Sequence, residues 1–265
     1  MVALLPAMRR LNQALNLEGL TQVRVTTPHY LGILAPSNGI PSNATFRPEL
    51  ASKVLLPMLK FLNDTGSPLM VNAYPYFSYT PWRTLDYAIF RPNRGIYDPA
   101  TKLNYTSMLD AQMDAVYTAM RKLGFGGVQI AVGEAGWPTK AEAAQVGVGV
   151  KEAQEFNAGM IRICSGGKGT PLMPGKTFET YIFSLFDENQ KPGPIAERNF
   201  GIFNTDLTPK VVEHADFPNN VQSHASYVMN AYYQANGRHD YDCDFKGTGL
   251  VTSNDPSYGS CKYVS

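Results

Sequence analysis

Apolar positions along the greater part of the chain follow two alternating periods. They recur at helical spacing over 3–17, 47–62, 105–123 and 150–163. Short apolar or β-branched runs follow these segments at 23–27, 69–72, 128–132 and 181–186. Helices that alternate with short strands, apolar on both faces, are typical of a parallel sheet covered by helices. The pattern therefore predicts an α/β fold with about four parallel strands.

Residues 73–103 interrupt this alternation. The stretch has little periodicity and is rich in aromatic residues, and a connection of that length usually has a function or some structure of its own. Within it, we expect residues 86–90 to form a small additional strand.

The polarity of the chain changes toward its C-terminal end. Residues 211–265 are rich in Asn, Tyr, Ser and Asp, and they carry Cys243 and Cys261. We expect one amphipathic helix over 223–235, with turns and short strands around it. The sequence therefore predicts two domains, residues 1–210 and residues 211–265.

Composition excludes several classes of function. The chain has 265 residues, of which 44% are hydrophobic and 17% are charged, as is typical of a globular protein. The 23 Lys and Arg residues nearly balance the 22 Asp and Glu residues, so no basic surplus indicates a nucleic acid or a membrane surface as partner. The aromatic fraction of 11% suits stacking on sugar rings, although aromatic side chains more often fill cores.

Targeting signals are weak. No stretch reaches the roughly 20 apolar residues of a transmembrane helix, and the ends as written show neither a signal-peptide pattern nor a lipid-anchor tail. Three Asn-x-Ser/Thr triplets, which begin at Asn43, Asn63 and Asn104, match the acceptor pattern for N-linked glycans. Such triplets also arise by chance, so the residues alone assign no compartment.

Polar or acidic residues follow three of the predicted strands. Asn72 ends the second strand, Glu134 follows the third, and the pair Asp187-Glu188 follows the fourth. In a (β/α)8 barrel, the carboxyl ends of the strands form the rim where the chemistry takes place. These positions are therefore the first candidates for a site.

The segment 128–139, VQIAVGEAGWPT, is the strongest single motif. An apolar strand delivers Glu134 to the predicted rim, Gly136 permits a tight turn, and Trp137 offers a flat apolar face suited to a pyranose ring. The alternative is a surface glutamate beside a tryptophan that packs in the core.

The stretch VGEAGWPT (132–139) resembles the nucleophile signature of glycoside hydrolase family 17, the plant-type endo-β-1,3-glucanases. Other stretches resemble further motifs of that family in the same order and spacing: 4–15, 71–79, 85–98, 181–194 and 198–204. The resemblance covers about residues 1–210. It implies the second half of a (β/α)8 TIM barrel, with about four strands, in an O-glycosyl hydrolase that cleaves internal β-1,3-glucosidic bonds with retention.

The resemblance also implies roles for single residues. Glu134 corresponds to the catalytic nucleophile, and Tyr74 corresponds to a residue that faces the cleft. Glu188 and Lys191 match rim residues that position and tune the nucleophile, whereas a solvated ion pair is the simpler alternative. Phe186 could line the same cleft, although a strand phenylalanine is more often part of the core.

One element of the family pattern is absent. The general acid/base of the family lies in a Gly-Asn-Glu motif at the end of the fourth barrel strand, and this motif occurs nowhere in the chain. Retaining hydrolysis requires two carboxyl groups about 5–5.5 Å apart. We therefore expect an open, partial barrel with little activity. An inactive glucan-binding paralogue and the product of an incomplete gene model remain as alternatives.

The C-terminal segments 224–238 and 241–263 resemble the second half of carbohydrate-binding module family 43, a disulfide-rich module that binds β-1,3-glucan. The resemblance implies that Cys243 and Cys261 pair with cysteines of the first half of the module, which is not recognisable here. A poorly packed appendage is the alternative interpretation.

No cofactor or metal ion is expected. The histidines are scattered, no Cys-x-x-Cys occurs, and the glycine-rich run 165–170 follows a helix, so we interpret it as a loop. The family implies a β-1,3-glucan polysaccharide as partner, no nucleic acid, and an extracellular or cell-wall location.

Overall fold

The computed structural model describes most of the chain. The described ranges are 3–82, 84–208, 210–211, 226, 229–230, 233, 238–245 and 249–254. Contacts between Cα atoms divide the chain into two compact units, Met1–Gly201 and Ile202–Ser265. The predicted division between residues 210 and 211 remains a prediction.

The first unit is built of short strands and longer helices. Its strands are β1 (Pro28–Tyr30), β2 (Leu69–Asn72), β3 (Ile96–Asp98), β4 (Leu103–Tyr105), β5 (Ile130–Ala135), β6 (Gly169–Thr170), β7 (Met173–Pro174) and β8 (Thr180–Ile182). Its helices are α1 (Leu4–Leu17), α2 (Pro48–Leu50), α3 (Leu56–Thr65), α4 (Leu85–Ala88), α5 (Met108–Lys122) and α6 (Val150–Ser165). A π-helical turn, Ala51–Leu55, joins α2 to α3.

Four strands form the central sheet of this unit. The sheet has the order β1-β2-β5-β8, and all its pairs are parallel. The predicted fold class, α/β with about four parallel strands, is therefore confirmed. The strands β3 and β4 form a separate antiparallel hairpin, and so do β6 and β7.

The register between β2 and β5 contains an irregularity. Val71 pairs with Val132, whereas the next residue of β2, Asn72, pairs with Glu134. Gly133 consequently has no partner on β2, which is the arrangement of a β-bulge. Because side chains alternate between the faces of a strand, this extra residue puts Glu134 on the half-buried side of β5, away from the buried Val132.

Helix α5 shows how the sequence determines one element. Ser107 caps its first turn by accepting a hydrogen bond from the Asp110 backbone amide at 3.2 Å. Arg121 and Lys122 lie in its last turn, where cations complement the helix dipole. The ammonium group of Lys122 also donates to the carbonyl oxygens of Ser42 and Ala44, both at 2.9 Å.

Two predicted strands differ from the structure. Residues 23–27 have no regular structure, and the strand begins at Pro28, where pairing with β2 starts. Proline is tolerated there because it is the first residue of an edge strand. Residues 86–90 lie largely in helix α4 rather than in a strand, since Ala88 donates to the Thr84 carbonyl at 2.9 Å.

The second unit is described in part. Phe203 and Val211 are buried, and a short helix, α7 (Asp240–Cys243), begins with a reciprocal capping interaction between His239 and Asp242. Cys243 is free. Most of the helix predicted over 223–235 lies outside the described residues, as does Cys261.

Among the helices that the structure describes, none is both long enough and apolar enough to cross a bilayer.

Candidate active site

Glu134 lies near the carboxyl end of β5 and is half-buried. Its backbone carbonyl accepts a hydrogen bond from the Ala73 amide at 2.9 Å, which ties it to the end of β2. Its side-chain atom Oε2 accepts a hydrogen bond from the Tyr74 hydroxyl at 2.8 Å. The ends of β2 and β5 are thus joined through both the main chain and one carboxylate oxygen of Glu134.

Tyr74 is held by aromatic packing. Its ring makes edge-to-face contacts with Phe77, Phe183 and Phe200, at centroid distances of 5.2, 6.2 and 5.8 Å. Burial raises the pKa of the Tyr74 phenol well above its usual range, and the hydrogen bond to Glu134 raises it further. The hydroxyl therefore stays protonated and acts as a fixed donor to the carboxylate.

Gly136 fixes the turn that follows Glu134. A Cβ atom at this position would lie 1.9 Å from the Phe183 carbonyl oxygen, so only glycine allows the two backbones to approach this closely. Phe183 in turn donates its amide to the Ala135 carbonyl at 2.9 Å. The segment after the nucleophile candidate is therefore fastened to the end of β8.

Lys191 joins two carboxylates at the same rim. Its ammonium nitrogen lies 3.2 Å from Glu188 and 3.1 Å from Glu197, and 4.9 Å from the centroid of the Phe183 ring. Burial alone would lower the pKa of Lys191, but the hydrogen bonds to Glu197 and Glu188 outweigh it, so the pKa is raised. Lys191 therefore remains charged.

Electrostatic coupling connects this group to Tyr74. After burial and the interaction with Glu134, the negative charges of Glu197 and Glu188 also raise the pKa of the Tyr74 phenol. The charges of Glu134, Glu188 and Glu197 thus all act on the Tyr74 phenol, and Lys191 bonds to Glu188; the roles expected of these residues remain predictions.

Glu197 was not predicted from the sequence. It lies in a 3-10 turn, Ile195–Arg198, and reaches Lys191 because the polypeptide folds back after residue 191. The only signal in the sequence is an acidic residue in a polar, proline-rich loop, which is too general to identify a site.

The expected role of Trp137 needs correction. Its side chain is 1% exposed and packs against Tyr76, Tyr79 and Phe156 at centroid distances of 5.4, 5.0 and 5.6 Å. Its indole N–H donates to the Gly147 carbonyl at 3.0 Å. The buried ring is not accessible to a sugar. It packs within the aromatic cluster, which agrees with the alternative that this tryptophan belongs to the core.

Other aromatic rings are more accessible. Phe77, which packs on Tyr74 and Phe200, is 61% exposed. Phe186 is 39% exposed, and its carbonyl accepts a hydrogen bond from the Ser184 hydroxyl at 2.8 Å. The predicted fourth strand, 181–186, ends instead at Ile182, so Phe186 follows β8 rather than lying in it. Its contact with substrate remains a prediction.

Within the part of the chain that the structure describes, no group of three or more His, Cys, Asp or Glu side chains lies close enough together to hold a metal ion.

Comparisons with known proteins agree with this geometry. The profile of glycosyl hydrolases family 17 matches residues 1–213, and the profile of the X8 domain matches residues 215–250. A glucan endo-1,3-beta-glucosidase of Triticum aestivum is 60% identical over 329 aligned positions, which include 100% of this chain and 71% of the relative. Glucan endo-1,3-beta-glucosidase 7 of Arabidopsis thaliana is 38% identical and shares 98% of this chain and 63% of its own length.

Solved structures show the same relationship. CJP38, a beta-1,3-glucanase and pollen allergen of Cryptomeria japonica, superposes with a TM-score of 0.72 at 38% identity, over 79% of this chain and 64% of that protein. One of two plant beta-glucan endohydrolases with distinct substrate specificities gives a TM-score of 0.69 at 36% identity, over 78% and 65% of the two chains. The chain thus spans about two thirds of the length of these relatives.

A profile match over most of the chain, relatives of high identity and a shared fold all lead to one assignment. The chain belongs to glycosyl hydrolases family 17, and an X8 domain match follows at its C-terminal end.

Proposed function

We propose that this chain carries the nucleophile of an enzyme that hydrolyses internal β-1,3-glucosidic bonds with retention, and that Glu134 is this nucleophile. The observation that carries the proposal is the placement of Glu134 at a strand end with Oε2 fixed by the Tyr74 hydroxyl at 2.8 Å. The names of the wheat and Arabidopsis relatives support β-1,3-glucan as the substrate.

In this mechanism, Oε1 of Glu134 attacks the anomeric carbon and a covalent glycosyl ester forms, while the bond from that carbon to the leaving oxygen breaks. Water then attacks the anomeric carbon from the face that the leaving oxygen vacated, the bond to Glu134 breaks, and the two inversions give net retention. The hydrogen bond from Tyr74 keeps the carboxylate in a single orientation, which lowers the cost of reaching the attacking geometry.

The proton donor is a separate question. Glu188 and Glu197 both accept from the Lys191 ammonium group at 3.2 and 3.1 Å, so one oxygen of each carboxylate is occupied by this cation. A general acid must instead carry a proton and direct it at the leaving oxygen. We therefore assign Glu188, Glu197 and Lys191 to positioning, and we propose that these residues alone support little hydrolysis of laminarin.

Phe77 takes over the role once expected of Trp137. Its exposed ring, packed on Tyr74 beside the carboxylate, is suited to stack on the apolar face of a glucose unit. Phe186 is a second candidate for this contact. The residues matched by the X8 profile are proposed to add glucan affinity, and the polysaccharide substrate implies an extracellular or cell-wall location.

An activated donor tests the nucleophile without needing the acid. A 2-deoxy-2-fluoro laminaribiosyl fluoride has a leaving group that departs without protonation, so Glu134 is expected to form a stable glycosyl ester that mass spectrometry of peptides can locate. Glu134→Gln is expected to remain unlabelled. Labelling of another carboxylate, or none at any concentration, would overturn the assignment of Glu134.

Hydrolysis of laminarin tests whether the chain supplies a proton donor. Release of reducing sugar is expected near background for the same preparation that the activated donor labels. Ready hydrolysis of laminarin that Glu134→Gln abolishes would show that an acid is present, with Glu188 the first residue to replace. Binding of laminarin without labelling would favour the alternative of an inactive glucan-binding paralogue.

A further inference from the structure

Three N-glycosylation triplets occur in the sequence, and the structure separates them by backbone geometry. The acceptor reaction requires the asparagine amide and the hydroxyl two residues later to be presented together. In extended backbone, residues two apart project to the same side, whereas on a helix they do not face each other. We propose that Asn43 is the residue that carries an N-linked glycan.

The Asn43 triplet has the extended geometry. Asn43 is the last residue of a 3-10 turn, and Ala44 has φ −60° and ψ 137°, in the extended region. Ala44 is fully buried, while Asn43 and Thr45 on either side of it are exposed. The amide and the hydroxyl therefore project together into solvent from a buried anchor.

The backbone around Asn43 is held firmly on both sides. Ser42 donates its amide and its hydroxyl to the Asp98 carboxylate at 2.9 and 2.7 Å. Lys122 donates to the carbonyls of Ser42 and Ala44 at 2.9 Å. These interactions use main-chain groups and the side chain of Ser42, so a sugar on the Asn43 amide nitrogen breaks none of them.

The triplets that begin at Asn63 and Asn104 are less suitable as glycan acceptors. Asn63 and Thr65 lie in helix α3, and the Thr65 hydroxyl donates to the Phe61 carbonyl at 2.9 Å. Asn104 lies in strand β4, but its amide nitrogen donates to the Arg94 carbonyl at 3.0 Å. A Cβ atom at position 95 would lie 2.7 Å from that nitrogen, so the Asn104 amide packs closely on the Gly95 backbone, and a glycan there would have to displace this contact and the hydrogen bond to Arg94.

The position of Asn43 keeps a glycan away from the cleft. Lys122 is the last residue of α5, and the chain then enters β5 at its amino end. Because Lys122 holds Ser42 and Ala44, the Asn43 turn lies near the amino ends of the strands. Glu134 is near the carboxyl end of β5, so a large glycan on Asn43 does not meet the substrate.

The modification is a group transfer. The Asn43 amide nitrogen forms a bond with the anomeric carbon of an oligosaccharide whose donor is a lipid pyrophosphate. The bond from that carbon to the pyrophosphate oxygen breaks, the lipid pyrophosphate leaves, and the amide loses one proton. Oligosaccharyltransferase of the secretory pathway supplies the catalyst.

The test is expression of the chain behind a secretory signal in yeast, with total cell protein and medium analysed together. Peptide N-glycosidase converts a glycosylated asparagine to aspartate, and peptide mass spectrometry is expected to find this change at Asn43 and not at Asn63 or Asn104. Because total protein is examined, poor export cannot hide the modification.

Matched variants complete the experiment. Asn43→Gln and Thr45→Ala are each expected to abolish the glycan, whereas Asn63→Gln and Asn104→Gln are expected to keep it. An unmodified Asn43 in protein that has entered the secretory pathway, or glycans only at Asn63 or Asn104, would overturn the proposal. The glycosylated chain and Asn43→Gln are expected to be labelled at Glu134 at equal rates.

Discussion

At the scale of single residues, the site depends on the hydrogen bond between Tyr74 and Glu134. The phenol is fixed by three aromatic neighbours, and burial together with the hydrogen bond to Glu134 raises its pKa, so it remains a protonated donor at neutral pH. This contact orients the proposed nucleophile, Glu134, without requiring a charged partner. Its contribution can therefore be measured by removing one oxygen atom.

We predict that Tyr74→Phe slows labelling of Glu134 by the activated donor about 10-fold. Loss of a hydrogen bond to a charged group typically costs about 1.5–3 kcal/mol, and the ring packing is retained. The control is Tyr79→Phe, which removes a phenol hydrogen bond to the Val146 carbonyl at 2.6 Å and is expected to leave the labelling rate unchanged. Equal labelling rates in the parent protein, Tyr74→Phe and Tyr79→Phe would show that Tyr74 does not orient the carboxylate.

A second prediction concerns Asp110. Burial raises the pKa of its carboxyl to about 7, with a further contribution from the charge of Asp114 and an opposing one from Lys168. The folded state thus holds a proton that the unfolded chain releases near pH 4, so the free energy of unfolding falls as pH rises from about 4 to about 7.

We predict that the free energy of unfolding of Asp110→Asn falls less between pH 5 and pH 8 than that of the parent protein, by roughly 1–3 kcal/mol. Urea unfolding at both pH values measures it. Asp64→Asn serves as the control, because Asp64 is an exposed partner of Lys60. If Asp110→Asn showed the same pH dependence as the parent protein, Asp110 would not be the group that titrates.

At the scale of elements, the segment after Glu134 is held where the ends of β5 and β8 meet, since the Phe183 amide donates to the Ala135 carbonyl. We predict that Gly136→Ala lowers the melting temperature by several degrees and impairs labelling of Glu134, since the new methyl group would lie 1.9 Å from a backbone oxygen that cannot rotate away. Differential scanning fluorimetry and the labelling assay measure the two effects.

Gly127 provides the matched control for this change. A Cβ atom there meets no atom within 4 Å, so Gly127→Ala is expected to change neither melting temperature nor labelling appreciably. If Gly136→Ala behaved in the same way, the approach of Phe183 would not constrain the turn.

Elements were predicted from sequence with uneven success. The four longer helices were found because each carries an apolar stripe over several turns, and β2 was found at its observed bounds. The strand expected at 23–27 begins later, because pairing with β2 rather than β-propensity decides where a strand starts. Residues 86–90 are too few to show a period, so helix and strand could not be distinguished there.

The residues of the candidate site could also be predicted only in part from the sequence. Glu134 could be predicted because its motif is contiguous. The burial of Trp137 could not, since an aromatic side chain after a strand can face either the cleft or the core, and neighbours distant in sequence decide between them. Glu197 required knowledge of how the loop after Lys191 folds back.

At the scale of the whole molecule, the central sheet of the first unit has two outer strands. Within the described residues, β1 and β8 each pair with only one neighbour, and Tyr30 on β1 is 73% exposed. Open parallel edges with apolar side chains promote association. The related solved structures extend beyond the region that this chain matches.

We predict that this chain self-associates in a concentration-dependent manner, which sedimentation velocity measures. Tyr30→Lys is expected to shift the distribution toward monomer, because a charge on an edge strand opposes pairing. Lys53→Glu, a charge change within the π-helical turn, is the control. A monomer at all concentrations would contradict the inference from open edges.

The bulge at Gly133 has a consequence for evolution. A Cβ atom at position 133 would lie 2.8 Å from both Asn72 Oδ1 and Met70 Cγ, so a change of the single Gly133 codon would crowd the bulge and disturb the pairing that orients Glu134. Glu134, Tyr74 and Lys191 would all still be present in such a gene. A lineage could therefore disable the proposed nucleophile without replacing it, and a survey that counts only those three residues would score such a copy as intact.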